Sequence, residues 1–260
     1  MRVATDRETA EGETIGYFDA ARGAAGDMIL AALLDAGLAF PQLKHELGKM
    51  NLPPYELVVE RVDRGIRALR FMVRTPSSGV HHHGPLVPGE GWTARDLDEK
   101  VTQSTLSEPV QTLSLRILRR LAAAEAAAAA IPLAEVQYDE LSAIDTLVDA
   151  VGASIGIAAL GLSHIYCSPL PAGRFTIDTR HGSQAIPSPR TRWLLESSGV
   201  PTTDVPAQVT ATGAAILTTV AGFTEPAMRL ERIGYGAGEA ETTEPNVLRL
   251  LVGRQVKAKR

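Results

Sequence analysis

Apolar and polar positions alternate along this chain with two periods, and the changes of period mark its elements. Residues 15–19 alternate as a short strand. A glycine-bearing loop at 20–26 leads into an apolar stretch at 28–36 that predicts a helix, with Asp27 as N-cap and Gly37 as its stop. Residues 55–61 and 68–75 alternate and predict a hairpin. Residues 76–91 are rich in glycine and proline and predict a loop carrying His81, His82 and His83. Two helices follow at 94–102 and 109–130; Pro109 suits the first turn of the second, and Pro132 ends it. Strands are expected at 164–168, 174–179, 228–233 and 246–252, and helices at 190–197 and 213–220. Strands and helices alternate loosely, which predicts an α/β fold: a mixed β-sheet, or two, covered by helices. The expected domain, single or in two subdomains, runs over 15–253, between loose tails at 1–14 and 254–260.

The stretch from Asp139 to Gly152 changes this picture most. It reads as a helix with one apolar face at Ile144, Leu147, Val148, Val151 and Ile155. A second face carries Asp145 and Asp149 one turn apart, then Gly152 and Gly156. Glycine in mid-helix costs about 1 kcal/mol against alanine, so packing or ligand approach must favour it. Acids beside glycines on an apolar helix point to carboxylates in a crevice, able to hold a cation or move a proton. Glu140, at the helix entry, adds a third carboxylate. The competing reading gives Glu140 a capping and dipole role and leaves the aspartates on the surface.

Composition bounds the partners. The chain has 260 residues, 45% of them hydrophobic, and a net charge of −4, which gives no footprint for nucleic acid. No apolar run reads as long enough to span a bilayer, and residues 1–14 carry no secretory core. The single cysteine, Cys167, excludes an intrachain disulfide, and a cytoplasmic setting is expected.

Other motifs carry weaker chemistry. The strand–loop–helix passage through Asp19, Arg22, Gly23, Gly26 and Asp27 has the form of an anion site at a helix N-terminus. Arg22 would hold a phosphate there; Asp27 would oppose one unless a metal bridged them. Capping and turn formation explain the same residues. His81, His82 and His83 would make a loose site for nickel, zinc or copper, or a solvated loop. Cys167 reads as a buried structural cysteine in preference to a soft metal ligand. His181 lies in a loop and could be acid, base or ligand. Thr212 and Gly213 open a capped helix able to take a phosphate, and the glycines at 234, 236 and 238 allow close backbone approach. No Ser-His-Asp signature or zinc cysteine spacing is visible.

Taken together these motifs resemble the LarC family of nickel insertion proteins, over nearly the whole chain from Tyr17 to Gly253. The matching pieces are Asp19, Gly23, Gly26-Asp27-Met28, Leu33-Leu34-Asp35 and Gly37, then Glu140, Ala143, Asp145, Val148-Asp149 and Val151-Gly152. Tyr166-Cys167-Ser168-Pro169-Leu170, His181-Gly182, Pro187 and Pro189, Thr212-Gly213-Ala214-Ala215, Gly234-Tyr235-Gly236-Ala237-Gly238 and Asn246-Val247-Leu248-Arg249 follow in the same order.

The resemblance implies a lyase-type enzyme that inserts nickel into pyridinium-3,5-bisthiocarboxylic acid mononucleotide, a CTP-driven cyclometallation with manganese or magnesium. A pyridinium carbon would lose its proton as its bond to nickel forms. Glu140, Asp145 and Asp149 would take that proton, or Glu140 and Asp145 would join His81, His82 and His83 on the metal. Asp19, Arg22, Gly23, Gly26, Asp27, His181, Thr212 and Gly213 would hold the mononucleotide. The chain departs from the family pattern in its short histidine tract, in Gln137 and Asp139 where histidines are usual, at Arg22 and Ala211, and in the stretch Ser188-Pro189-Arg190. It also stops near Arg260, so a separate C-terminal nucleotide-handling chain is an expected partner, and a homo-oligomer is open. Two alternatives stand beside the enzyme: a non-catalytic nickel carrier, and a diverged paralogue that binds a phosphorylated small molecule.

Overall fold

The computed structural model describes residues 12–76, 91–179, 182–239 and 245–256. Along the chain run β1 (Thr14–Asp19), α1 (Gly26–Asp35), α2 (Phe40–Gly48), β2 (Glu56–Asp63), β3 (Arg67–Arg74), β4 (Trp92–Thr93), α3 (Ala94–Thr102) and α4 (Glu108–Ala129). Then come β5 (Gln137–Tyr138), α5 (Glu140–Ala159), β6 (His164–Cys167), β7 (Leu170–Pro171), β8 (Phe175–Thr179), β9 (Gly182–Ile186) and α6 (Pro189–Ser198). The last are β10 (Thr202–Thr203), α7 (Ala211–Val220), β11 (Ala221–Gly222), β12 (Met228–Ala237) and β13 (Val247–Gln255).

A 7-stranded mixed sheet in the order β11-β6-β1-β13-β12-β3-β2 forms the frame, with three 2-stranded ribbons beside it. This is the expected α/β class. β1 pairs parallel to β6 and antiparallel to β13, so the first and last strands lie together at the centre. β1 starts at Thr14 and β13 runs to Gln255, so strand pairing claims residues assigned in sequence to loose tails.

The helices pack on the sheet through one core. Phe18, Leu248, Leu250 and Val252 of the sheet meet Ile29, Leu30 and Leu33 of α1 and Leu147, Val148 and Val151 of α5. Each fully buried side chain of this kind contributes about 1.5–3 kcal/mol. The mid-helix glycines have a packing explanation. A Cβ on Gly152 would lie 2.7 Å from Leu30 and one on Gly156 2.8 Å from Leu33, so their absence lets α5 settle onto α1. Likewise α1 lies on β12, where a Cβ at Gly236 would lie 1.9 Å from the Met28 carbonyl. This is the close backbone approach expected of these glycines, and β12 runs through them to Ala237, past the end expected at 233. By length and apolarity α5 could cross a bilayer, against the sequence reading, yet 78% of its apolar window is buried inside the fold. α2 was not anticipated; it buries Leu43 and Leu47.

Candidate functional site: an acid-lined crevice in two chambers

α1, α5 and α7 bring their N-terminal halves to one crevice. Ala24 bridges to Val209, and the Thr210 N–H donates to the Ala24 carbonyl at 2.9 Å, tying the start of α7 to the start of α1. The Thr210 hydroxyl caps α7 by accepting from the Gly213 N–H at 3.1 Å. Gly213 is packed tightly, since a Cβ there would lie 2.6 Å from the Ala24 carbonyl. Gly23 has φ +106 and a Cβ there would lie 2.4 Å from the Gln208 carbonyl. Both glycines therefore serve the chain's own close crossing, where sequence suggested contact with a ligand.

The larger chamber, about 910 Å³, is lined by Asp27, Asp145 and Asp149, with Glu239, Arg74 and Thr212 around it. Asp27 does not cap α1. Ala25 is the N-cap and the helix already includes Gly26, which places Asp27 in its first turn with its carboxylate in the crevice. Burial pushes the Asp27 carboxyl up to about 7, with the charges of Asp145 and Glu239 adding, against an opposing backbone hydrogen bond from Met28.

Asp149 is 4% exposed, and its Oδ1 is buried with no hydrogen-bond partner among the described residues. Its carboxyl sits directly over Gly26, where a Cβ would fall 2.0 Å from Oδ2. Enclosure raises its pKa well above the ordinary range, and the charges of Asp145 and Asp27 raise it further. Asp145 is shifted upward too, by its enclosure in the crevice and then by Glu239. Its side chain reaches solvent through the crevice, so screening weakens its shift relative to that of Asp149. Like charges this close do not all ionise together. The cluster therefore retains a proton near neutral pH and can exchange it.

The smaller chamber, about 410 Å³, joins the larger at Asp145, Thr210 and Thr212. Gln137, Tyr138, Asp139, Thr146 and Arg190 line it, with Ala211 at the start of α7. Three of these positions, Gln137, Asp139 and Ala211, are departures from the family pattern noted in the sequence, and Arg190 belongs to the altered stretch 188–190. Asp139 caps α5 by accepting from the Ser142 N–H at 2.9 Å, and Arg190 Nη1 pairs with Glu125 at 2.8 Å.

The other expected site residues fall elsewhere. Glu140 is exposed in the first turn of α5 and lines neither chamber. Asp145 lies five positions further on, and a helix turns those positions to different faces. Asp19 ends β1 in an ion pair with Arg249 of β13, whose Nε donates to its Oδ2 at 3.1 Å. Arg22 is exposed, and neither it nor Asp19 lines a chamber. His81, His82, His83 and His181 lie outside the described residues. Cys167 is 1% exposed and enclosure pushes its thiol up to about 12, the state of a structural cysteine. Among the described residues no three His, Cys, Asp or Glu side chains form a metal-holding group. Tyr138, Thr146, Arg190 and Glu239 were missed because nothing local marks them; separate elements bring them to the crevice.

Comparison with known proteins follows this geometry. A family model described as nickel insertion protein matches residues 16–260. A protein of Thermomicrobium roseum named for nickel insertion is 38% identical over 244 residues, 92% of this chain and 58% of its own. One from Geobacter sp. (strain M21), named likewise, is 40% identical over 253 residues, 94% of this chain and 63% of its own. A third, from Desulfitobacterium hafniense, is named pyridinium-3,5-bisthiocarboxylic acid mononucleotide nickel insertion protein; it is 36% identical over 241 residues, 91% of this chain and 58% of its own. The chain thus spans about three fifths of the length of these relatives. No solved structure matches. On the family match and these identities, the chain belongs to the nickel insertion protein family.

Proposed function

We propose that this chain inserts nickel into a pyridinium-3,5-bisthiocarboxylic acid mononucleotide, and that the crevice acids accept the proton the reaction releases. The observation that carries this reading is Asp149: a buried carboxyl whose Oδ1 has no hydrogen-bond partner among the described residues, beside two other carboxyls on the wall of a chamber. In the reaction a ring C–H bond breaks and a carbon–nickel bond forms. Nickel stays divalent, and the displaced proton passes to a carboxylate. The two thiocarboxylates of the substrate are soft ligands suited to nickel, so the protein need not supply a complete ligand set. That agrees with the lack of a three-ligand group among the described residues. Asp145, at the junction of the chambers, meets solvent and is the entry to the cluster; Asp27 and Asp149 take the proton inward.

The family resemblance adds CTP with manganese or magnesium. The described residues hold no three-ligand group for such a cation, and the steps above do not run through one. A second reading, a relative that binds a phosphorylated small molecule without nickel, is favoured by the altered positions in the smaller chamber. One incubation separates the two. The purified chain, nickel, the bisthiocarboxylate mononucleotide, CTP and manganese are combined and examined by mass spectrometry. A nickel adduct is the expected result. Substrate binding without any adduct, even when the remaining two fifths of a longer relative is added, would support the second reading.

A further inference from the structure

Resting on the mononucleotide reading, we propose that the smaller chamber holds the ribose phosphate of the substrate, with Arg190 and the start of α7 on the phosphate, so that the ring lies over the acids of the larger chamber. Two hydroxyls mark the chamber as made for a polar ligand. Tyr138 and Thr146 are each 7% exposed and line the chamber, neither hydroxyl has a hydrogen-bond partner among the described residues, and neither oxygen is itself sealed. Each is therefore open to a polar ligand in the chamber.

The donors lie on one wall. Thr191, fully buried, donates from its hydroxyl to the Val209 carbonyl at 3.1 Å, which locks the start of α6 beside the start of α7. Arg190 projects from the first turn of α6. In α7 the Thr210 cap satisfies the Gly213 N–H, while the N–H groups of Ala211 and Thr212 come earlier in the helix and have no helical acceptor. Arginine beside unpaired helix amides is a phosphate-binding arrangement. Formal charge alone does not favour an anion, because Glu125, Asp139 and Asp145 also line the chamber. Glu125 holds Arg190 at 2.8 Å on the donor side, which leaves Asp139, Asp145 and Gln137 as acceptors for the hydroxyls of a ribose. Arginine and helix amides together with these acceptors match a sugar phosphate, and neither free phosphate nor a bare sugar uses both. The chambers meet at Asp145 and Thr212, the place for the bond from sugar to ring.

The test uses nicotinate mononucleotide, a pyridinium carboxylate with the same tail, nicotinate riboside, which lacks the phosphate, and inorganic phosphate. Binding to the full chain is measured by calorimetry without nickel. The mononucleotide should bind at least about tenfold more tightly than the riboside or free phosphate. Arg190→Gln should remove that preference while leaving riboside binding unchanged, and Arg190→Lys should restore part of it. Thr146→Val should weaken mononucleotide and riboside together. Equal binding of the two pyridinium ligands, no binding of either, or an Arg190→Gln variant with the preference intact would each overturn the proposal. The nickel assay keeps this distinct from the functional reading. A normal nickel adduct with unchanged substrate KM in Arg190→Gln defeats only the tail site, and Arg190-dependent binding without any adduct defeats only nickel insertion.

Discussion

Two sets of aspartates lie near the N-terminal end of α1 and have opposite surroundings. Asp19, at the end of β1, is bound by the Arg249 guanidinium and also accepts from the Ala21 N–H at 3.2 Å. Asp149, Asp145 and Asp27 face one another without an ion pair among the described residues, and burial drives their pKa values upward. The first arrangement satisfies a charge and fixes two neighbouring strands. The second leaves charge unsatisfied, which destabilises the fold and equips it to move a proton. The same residue type thus does structural work in one place and chemical work in the other, and its partners decide which.

The largest expected break of this contrast is Gly26→Ala. The new Cβ meets the Asp149 carboxyl at van der Waals overlap, so either α1 or Asp149 must move. Destabilisation of about 1–3 kcal/mol is expected, together with loss of nickel transfer, read by thermal melts and by mass spectrometry. A melt that matches the unsubstituted chain would show that the acid does not press on Gly26.

Next comes the pH dependence of stability. Folded Asp27 and Asp149 hold their protons above the ordinary carboxyl value near 4, so the folded chain binds more protons than the unfolded one as pH rises from about 4 through the raised values, about 7 for Asp27. The stabilisation from these groups is complete below pH about 4 and is lost across that window. Asp149→Asn removes this loss. It should melt several degrees higher than the unsubstituted chain at pH 8, with the gap narrowing on acidification. A gap independent of pH would place the carboxyl in water.

A smaller effect is expected at the satisfied acid. Asp19→Asn breaks a partly exposed ion pair and should lower stability by about 1 kcal/mol or less in denaturant titration, leaving the rate of nickel transfer unchanged. The smallest is Glu140→Gln, exposed and outside both chambers, which should shift stability by less than about 0.5 kcal/mol and not alter transfer. A large loss of transfer in either variant would move the chemistry away from the crevice.

Much of this architecture was legible in the sequence. Period placed α3 at its observed bounds and most other long elements within a few residues, and Pro109 marked the start of α4. Asp145 and Asp149 stood out because carboxylates on an apolar helix are rare. Their neighbours Gly152 and Gly156 were read in part as ligand-facing; in three dimensions Leu30 and Leu33 of α1 occupy that side. Glu140 followed the acids in sequence but not around the helix. Asp27 looked like a cap because an acid before an apolar run usually is one, and only the backbone at Ala25 moves the helix start ahead of it. Tyr138, Thr146 and Arg190 come from three elements that no local pattern links, and their meeting depends on the packing of α4, α5, α6 and α7.

The central claim is that the acid cluster accepts the proton displaced by nickel, with Asp149 acting through its ionised form, the stronger base for its raised pKa. The most direct test is the rate of nickel adduct formation by Asp149→Asn beside the unsubstituted chain, at pH 7 and with equal substrate binding verified. The amide matches the carboxyl in shape and cannot take the proton, so a fall of about 100-fold or more is expected with the fold intact. A variant that forms the adduct at the original rate would contradict the account and leave Asp149 as a structural residue beneath α1.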